Sequence, residues 1–133
     1  MCEQVSQWCN YQSIVFNLKQ HPVYPCFAIL TAFNPRSIVI SDSQNNLRHQ
    51  RLISELRAVT QQLLPIICSD PNGQWQEQGV MIGLPLDVAK NYAAQWGQNA
   101  IYWVEGDSLF LVPVLLQGYE IQRLGDWRGF FYT

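Results

Sequence analysis

Phe27 to Phe33 (Phe-Ala-Ile-Leu-Thr-Ala-Phe) restricts the fold most, because it is apolar on both faces of a strand. Phe27, Ile29 and Phe33 point one way, and Ala28, Leu30 and Ala32 the other, since side chains alternate along an extended chain. Such a strand belongs inside a sheet that is covered on both sides. Asn34-Pro35 ends it, because proline has no N–H to offer a neighbouring strand.

Ser41-Asp42-Ser43 then supplies N-cap residues for a helix predicted to run to about Gln62. Asn45, Arg48, Leu52, Leu56, Val59 and Leu63 fall within about 80° on that helix. The last four read as core. Asn45 and Arg48 continue their line toward the helix N-terminus, beside the strand end that carries Asn34 and Arg36.

Other elements follow from the same rules. Residues 11–18 and 64–68 read as short strands, and Asp70-Pro71-Asn72-Gly73 as a turn. Trp75 to Leu84 alternates, with Glu77, Gly79, Met81 and Gly83 on one face. Pro85 fits the first turn of a second helix, and Gly97 its C-terminal cap. Ala100 to Val104 and Leu109 to Leu116 form a hairpin around Gly106-Asp107, a type II′ turn by its glycine, and Pro113 suggests an edge strand. Tyr119 to Leu124 adds a strand before an aromatic end with Trp127, Phe130, Phe131 and Tyr132.

The core order is β-α-β-β-α-β with strands added at both ends. That is the split βαβ, ferredoxin-like pattern: an α+β domain with two helices on a mostly antiparallel sheet. At 133 residues the chain is expected to be one domain, with its C-terminal strand and tail at 105–133.

Charged residues make up only 14% of the chain against 48% hydrophobic, so exposed apolar area and a homo-oligomer, formed through a sheet edge or the aromatic tail, are expected. A net charge of −2 argues against nucleic acid as a partner. No apolar run is long enough for a membrane span and the first residues lack a signal-peptide pattern, so a cytoplasmic protein is expected. Cys2, Cys9, Cys26 and Cys68 have no zinc-site spacing and read as reduced thiols, with Cys26 and Cys68 buried. His21 and His49 sit in no catalytic arrangement with them, and His49 reads as part of a solvated face. No metal or cofactor is expected, and no phosphate loop or catalytic serine motif is present.

The candidate site gathers around the first strand–helix junction. An arginine near a helix N-terminus opposes the helix dipole, and a bound anion would reverse that sign. Arg36, Asn45 and Arg48 are therefore weighed as a small anionic-ligand site against purely structural partners. Glu77 shares its face with glycines that allow close approach, and pairing with Arg48 is weighed against a general-base role. Gln98 and Asn99, at the mouth of a strand, orient either a ligand or loop backbone. A structure with Glu77 and Arg48 on opposite faces of the sheet would rule out one shared pocket.

These segments resemble a family of small, mainly proteobacterial proteins known as domain of unknown function 3293. The resemblance rests on Thr31-Ala32-Phe33-Asn34-Pro35 with Ser37, on Asn45 and Arg48 followed by Leu52 and Leu56, and on Trp75-x-Glu77, Gly83-Leu84 and Gly97 to Trp103. It covers roughly residues 27–104. It implies that Asn34, Asn45, Arg48, Glu77 and Gln98 belong together, and it implies no activity. Members often carry an acidic residue where this chain has Gln44. The leading expectation is a non-enzymatic domain binding a small anionic ligand or a protein partner. The alternative is a hydrolase or transferase with Glu77 as general base and Arg48 as anion stabiliser.

Overall fold

The computed structural model describes residues 2–18 and 24–132, with side chains from Gln7 onward. His21 and the Cys2 side chain therefore lie outside the described residues.

The chain forms helix α1 (Cys2–Gln12), strands β1 (Val15–Asn17) and β2 (Cys26–Thr31), helix α2 (Asp42–Arg57), strands β3 (Leu63–Ser69) and β4 (Gln76–Ile82), and helix α3 (Leu86–Gln95). Strands β5 (Ala100–Glu105), β6 (Ser108–Pro113), β7 (Gln122–Asp126) and β8 (Phe131–Tyr132) complete one eight-stranded sheet in the order β7-β6-β5-β2-β4-β3-β1-β8. As its two apolar faces demand, β2 is central, antiparallel to both β4 and β5.

The two-helix ferredoxin-like sandwich on a mostly antiparallel sheet does not hold. Eight strands form a mixed sheet, with β1 and β8 parallel, and a third helix covers the face opposite α2 and α3. The sheet must also curl. β7 and β8 are its two ends, yet only the short turn Trp127–Phe130 joins them. Flat, those ends would stand about 34 Å apart at the usual strand spacing. The connection reaches at most about 18 Å. The sheet closes partway on itself as a half-barrel.

Its inner face holds Phe16, Phe27, Ile29, Ile66, Cys68, Met81, Tyr102 and Leu109, together with Trp8 and Ile14 from the N-terminal segment. Trp8 stacks on Tyr119 at 4.6 Å, and Trp127 and Phe131 reach the central Phe27 at 6.5 and 6.1 Å. Trp127, Phe130 and Phe131 of the aromatic tail are thus packed on the inner face, where offset and edge-on rings add about 0.5–1.5 kcal/mol per pair, while Tyr132 stays exposed. On the outer face Leu52 and Leu56 of α2, with Ala89 and Ala93 of α3, cover Ala28, Leu30, Val80, Ile82 and Ile101.

Local expectations fare unevenly. Ser41 caps α2 in a capping box with Gln44, but the helix stops at Arg57, so Val59 is exposed and Leu63 starts a strand. The buried stripe is Asn45, His49, Leu52 and Leu56. His49 is thus not on a solvated face: it packs edge-on to Phe33 and burial pushes its pKa down. Cys68 is buried, whereas Cys26 is half-buried and Cys9 exposed. Residues 11 and 12 end α1 and only Val15–Asn17 is strand. β6 is not an edge, being flanked by β5 and β7. Pro113 is tolerated because it sits at the end of β6, past the last β7 pairing at Leu111–Gln122.

Candidate functional site

Two loops meet at the end of β2. The first, residues 32–41, carries three non-glycine residues with left-handed backbone: Asn34 (φ 44°), Arg36 (φ 55°) and Ser37 (φ 63°). Such strain persists only where the surroundings over-determine it. Here Arg36 N–H donates to Gly97 O at 2.6 Å and Ser37 N–H to Asn34 O at 2.8 Å. Asn45 Oδ1 accepts from Asn34 N–H at 2.8 Å, and Asn34 Oδ1 accepts from Asn45 Nδ2 at 2.9 Å and Ile40 N–H at 3.1 Å.

The second loop follows α3. Gly97 (φ 73°) closes the helix with Gln98 N–H to Ala93 O and Gly97 N–H to Ala94 O, the pairing of a Schellman cap. A Cβ on Gly97 would meet Pro35 Cβ at 2.9 Å. Gly97→Ala therefore meets both a left-handed backbone and a clash, and is expected to lower stability by about 2 kcal/mol in urea denaturation.

Arg48 ties the two loops together. Its Nε donates to Ala32 O at 2.7 Å, its Nη2 donates to Trp96 O, and its guanidinium lies 5.1 Å from the Trp96 ring centre. Gln98 Nε2 spans the same gap, donating to Phe33 O at 3.1 Å and Trp96 O at 3.3 Å. Backbone carbonyls that have left their strand and helix need such donors.

The clamp positions Asn34 so that its Nδ2 donates to Glu77 Oε1 at 3.2 Å. Glu77 is on β4 opposite Cys68, on the inner face, and helps line a cavity of about 290 Å³. α1 forms the other wall through Gln7, Asn10 and Tyr11. Tyr102 O–H donates to Tyr11 O, Tyr11 O–H and Ser37 Oγ share a 2.7 Å hydrogen bond, and Asn99 Nδ2 donates to Gln7 Oε1 at 3.3 Å. Phe33 and Trp75 add aromatic surface.

Of the six residues expected at the site, Asn34, Glu77 and Gln98 line the cavity. Asn45 supports it through Asn34. Arg36 is exposed, and Arg48 belongs to α2 on the outer side, so the Arg48–Glu77 ion pair is not formed. The glycines near Glu77 serve packing: Ile66, Cys68 and Leu30 O fill the space beside Gly79, and the Gln62 side chain fills that beside Gly83. Tyr11, Tyr102 and the α1 amides were not expected here. The helical spacing of Trp8 and Tyr11 is the trace α1 leaves in the sequence, and Tyr102 lies on the expected strand Ala100 to Val104.

Among the described residues Glu77 is the single charged side chain in the lining. Burial pushes its pKa up to about 7, and the Asn34 hydrogen bond only partly opposes this. Among the described residues the titratable groups that share the cavity with it are Cys68 on β3, Tyr102 on β5 and Tyr11 on α1. Burial, and the carboxylate itself, raise Cys68 and Tyr102. At neutral pH these two carry no charge that would compete with Glu77.

A family described as "Protein of unknown function (DUF3293)" matches residues 30–101, more than half of the chain. The chain belongs to the DUF3293 family. No curated protein and no solved structure matches it. The DUF3293 segment holds the whole clamp and Glu77, whereas α1 and Tyr102 of the cavity wall lie outside it. Among the described residues no helix is long and apolar enough to cross a membrane, and no three His, Cys, Asp or Glu side chains gather as a metal site would require.

Proposed function

We propose that this DUF3293 protein is a non-catalytic domain that binds a small molecule in the cavity between α1 and the inner face of the sheet. One observation carries the reading: a half-buried carboxylate stands in the wall of a half-open cavity with a neutral amide, not a cation, as its hydrogen-bond partner. Withdrawing a carboxylate from water costs several kcal/mol unless charge or hydrogen bonds offset it. The volume lies at the small end of ligand sites, about 300–1,000 Å³. With Glu77 present and no Lys, Arg or His among the described lining residues, the cavity suits a neutral or cationic ligand better than the anion expected from Arg36 and Arg48.

Screening small fragments by protein-observed NMR tests this. Hits should shift the resonances of Tyr11, Glu77 and Tyr102, and Ala100→Phe, which fills the cavity from β5, should abolish those shifts. Hits that ignore the cavity, or that bind the variant equally, would overturn the reading in favour of a protein partner on another surface.

The pKa of Glu77 favours a second reading, general acid–base catalysis in a hydrolase or transferase, since a carboxyl near 7 can both take and give a proton. Arg48 does not line this cavity, so it would not be the anion stabiliser. Turnover of an ester or amide panel that Glu77→Gln abolishes without loss of fold would establish it; an inert wild type across that panel would dismiss it.

A further inference from the structure

We infer that the ligand is a small organic cation, a primary amine or amidinium joined to a flat apolar group. This rests on the cavity being a ligand site and names the chemistry that fits it. Of the described side chains around the cavity only Glu77 is a carboxylic acid; the others are amides, hydroxyls, one thiol and apolar groups. The cations of the strand–helix junction are elsewhere: Arg48 is held by Ala32 O and Trp96 O, and Arg36 is exposed. Among the described residues the ion pairs join Arg128 to Asp107 and Asp126, far along the chain from this site.

A negative ligand would face a like charge across a partly dry space, where Coulomb repulsion is several-fold stronger than in water. A neutral ligand would leave the carboxylate as poorly compensated as before. A cation supplies the missing charge and donates to Glu77 in a short, charge-assisted hydrogen bond. The rest of the wall agrees. Tyr11, Phe33, Trp75 and Tyr102 offer ring faces and edges for a flat group, and ring faces themselves attract cations. The Gln7, Asn10 and Gln98 amides supply carbonyl acceptors for further N–H groups.

Benzylamine, benzyl alcohol and benzoate share one ring and differ in charge, so their binding to the full chain, followed by NMR at pH 8, tests the inference. Benzylamine is expected to bind at least tenfold tighter than benzyl alcohol, and benzoate most weakly. Glu77→Gln should erase the preference for the amine. In the wild type, amine affinity should fall by on the order of tenfold per pH unit below about 7, because binding then displaces a proton. Equal binding of amine and alcohol would overturn the cation while leaving the cavity a ligand site. Failure of all three to shift cavity resonances, alongside a fragment screen without cavity hits, would overturn both.

Discussion

Replacing Arg48 with methionine is expected to cost about 3 kcal/mol of stability, among the larger losses a single substitution in this chain should give. Methionine keeps most of the apolar stem and helix preference of arginine, so the loss isolates the guanidinium. Two hydrogen bonds from a charged donor disappear, each of a kind worth about 1.5–3 kcal/mol before relaxation. Trp96 O keeps Gln98 as a donor, whereas the Ala32 carbonyl loses its side-chain donor. The contact with the Trp96 ring goes as well, about 0.5–1 kcal/mol when half-exposed. Lysine should recover little, because one ammonium cannot repeat a planar fork set between two carbonyls. Urea denaturation of wild type, Arg48→Met and Arg48→Lys measures this directly. A loss below about 1 kcal/mol in the methionine variant would mean that Arg48 does not hold the loops. Because the loops place Asn34, the methionine variant should also broaden or shift the Glu77 resonance 29 residues away in sequence.

Glu77→Gln is expected to do the opposite at neutral and alkaline pH, raising stability by up to about 3 kcal/mol. The folded-state pKa of Glu77 is about 7 against an ordinary 4.5, and each unit is about 1.4 kcal/mol. The sign follows from proton binding. Between pH 4.5 and 7 the folded protein holds a proton that the unfolded chain releases, so folding is favoured at the acid end and that advantage is lost as pH rises through 7. Glutamine mimics the protonated form and removes the dependence. His49 acts against this trend: burial lowers its pKa, so its contribution is lost as pH falls below 6.5. Asp126, held by Arg128 at about 2, titrates below the window. The difference between wild type and variant therefore reads Glu77 alone. It should be near zero at pH 4 and level off above pH 8. A site that carries such a penalty for no structural return fits a protein that trades stability for binding.

How much of this lies open in the sequence depends on the range of the interaction. The β2 faces, the Ser41 cap, the Gly97 cap and the strand face that Glu77 shares with Gly79 and Met81 depend on neighbours two to four residues away, and alternation or spacing exposes them. The curl does not. It is set by β1 and β8, three and two residues long, which pair across most of the chain and leave no periodic trace. The aromatic tail looked like free surface because nothing local shows that Phe131 reaches Phe27. Arg48 and Glu77 looked like partners because both flank the end of β2. They fall on opposite sides because β4 presents Glu77 inward while α2 packs outside. Asn34 is the link between them, and a left-handed asparagine before a proline gives no sign of where its amide points. The polar residues of the family motif thus divide in two. Arg48, Asn45 and Gln98 bind backbone, and in doing so they deliver Asn34 to the carboxylate.

Every ligand contact proposed for the cavity turns on the Glu77 carboxylate, and its titration measures that group directly. The side-chain carboxyl carbon of Glu77, assigned by its absence from Glu77→Gln, should titrate with a midpoint near 7 in the ligand-free protein. Saturating benzylamine should move that midpoint down by at least one unit. A midpoint near 4.5 that benzylamine leaves unchanged would show a solvated carboxylate and contradict the account.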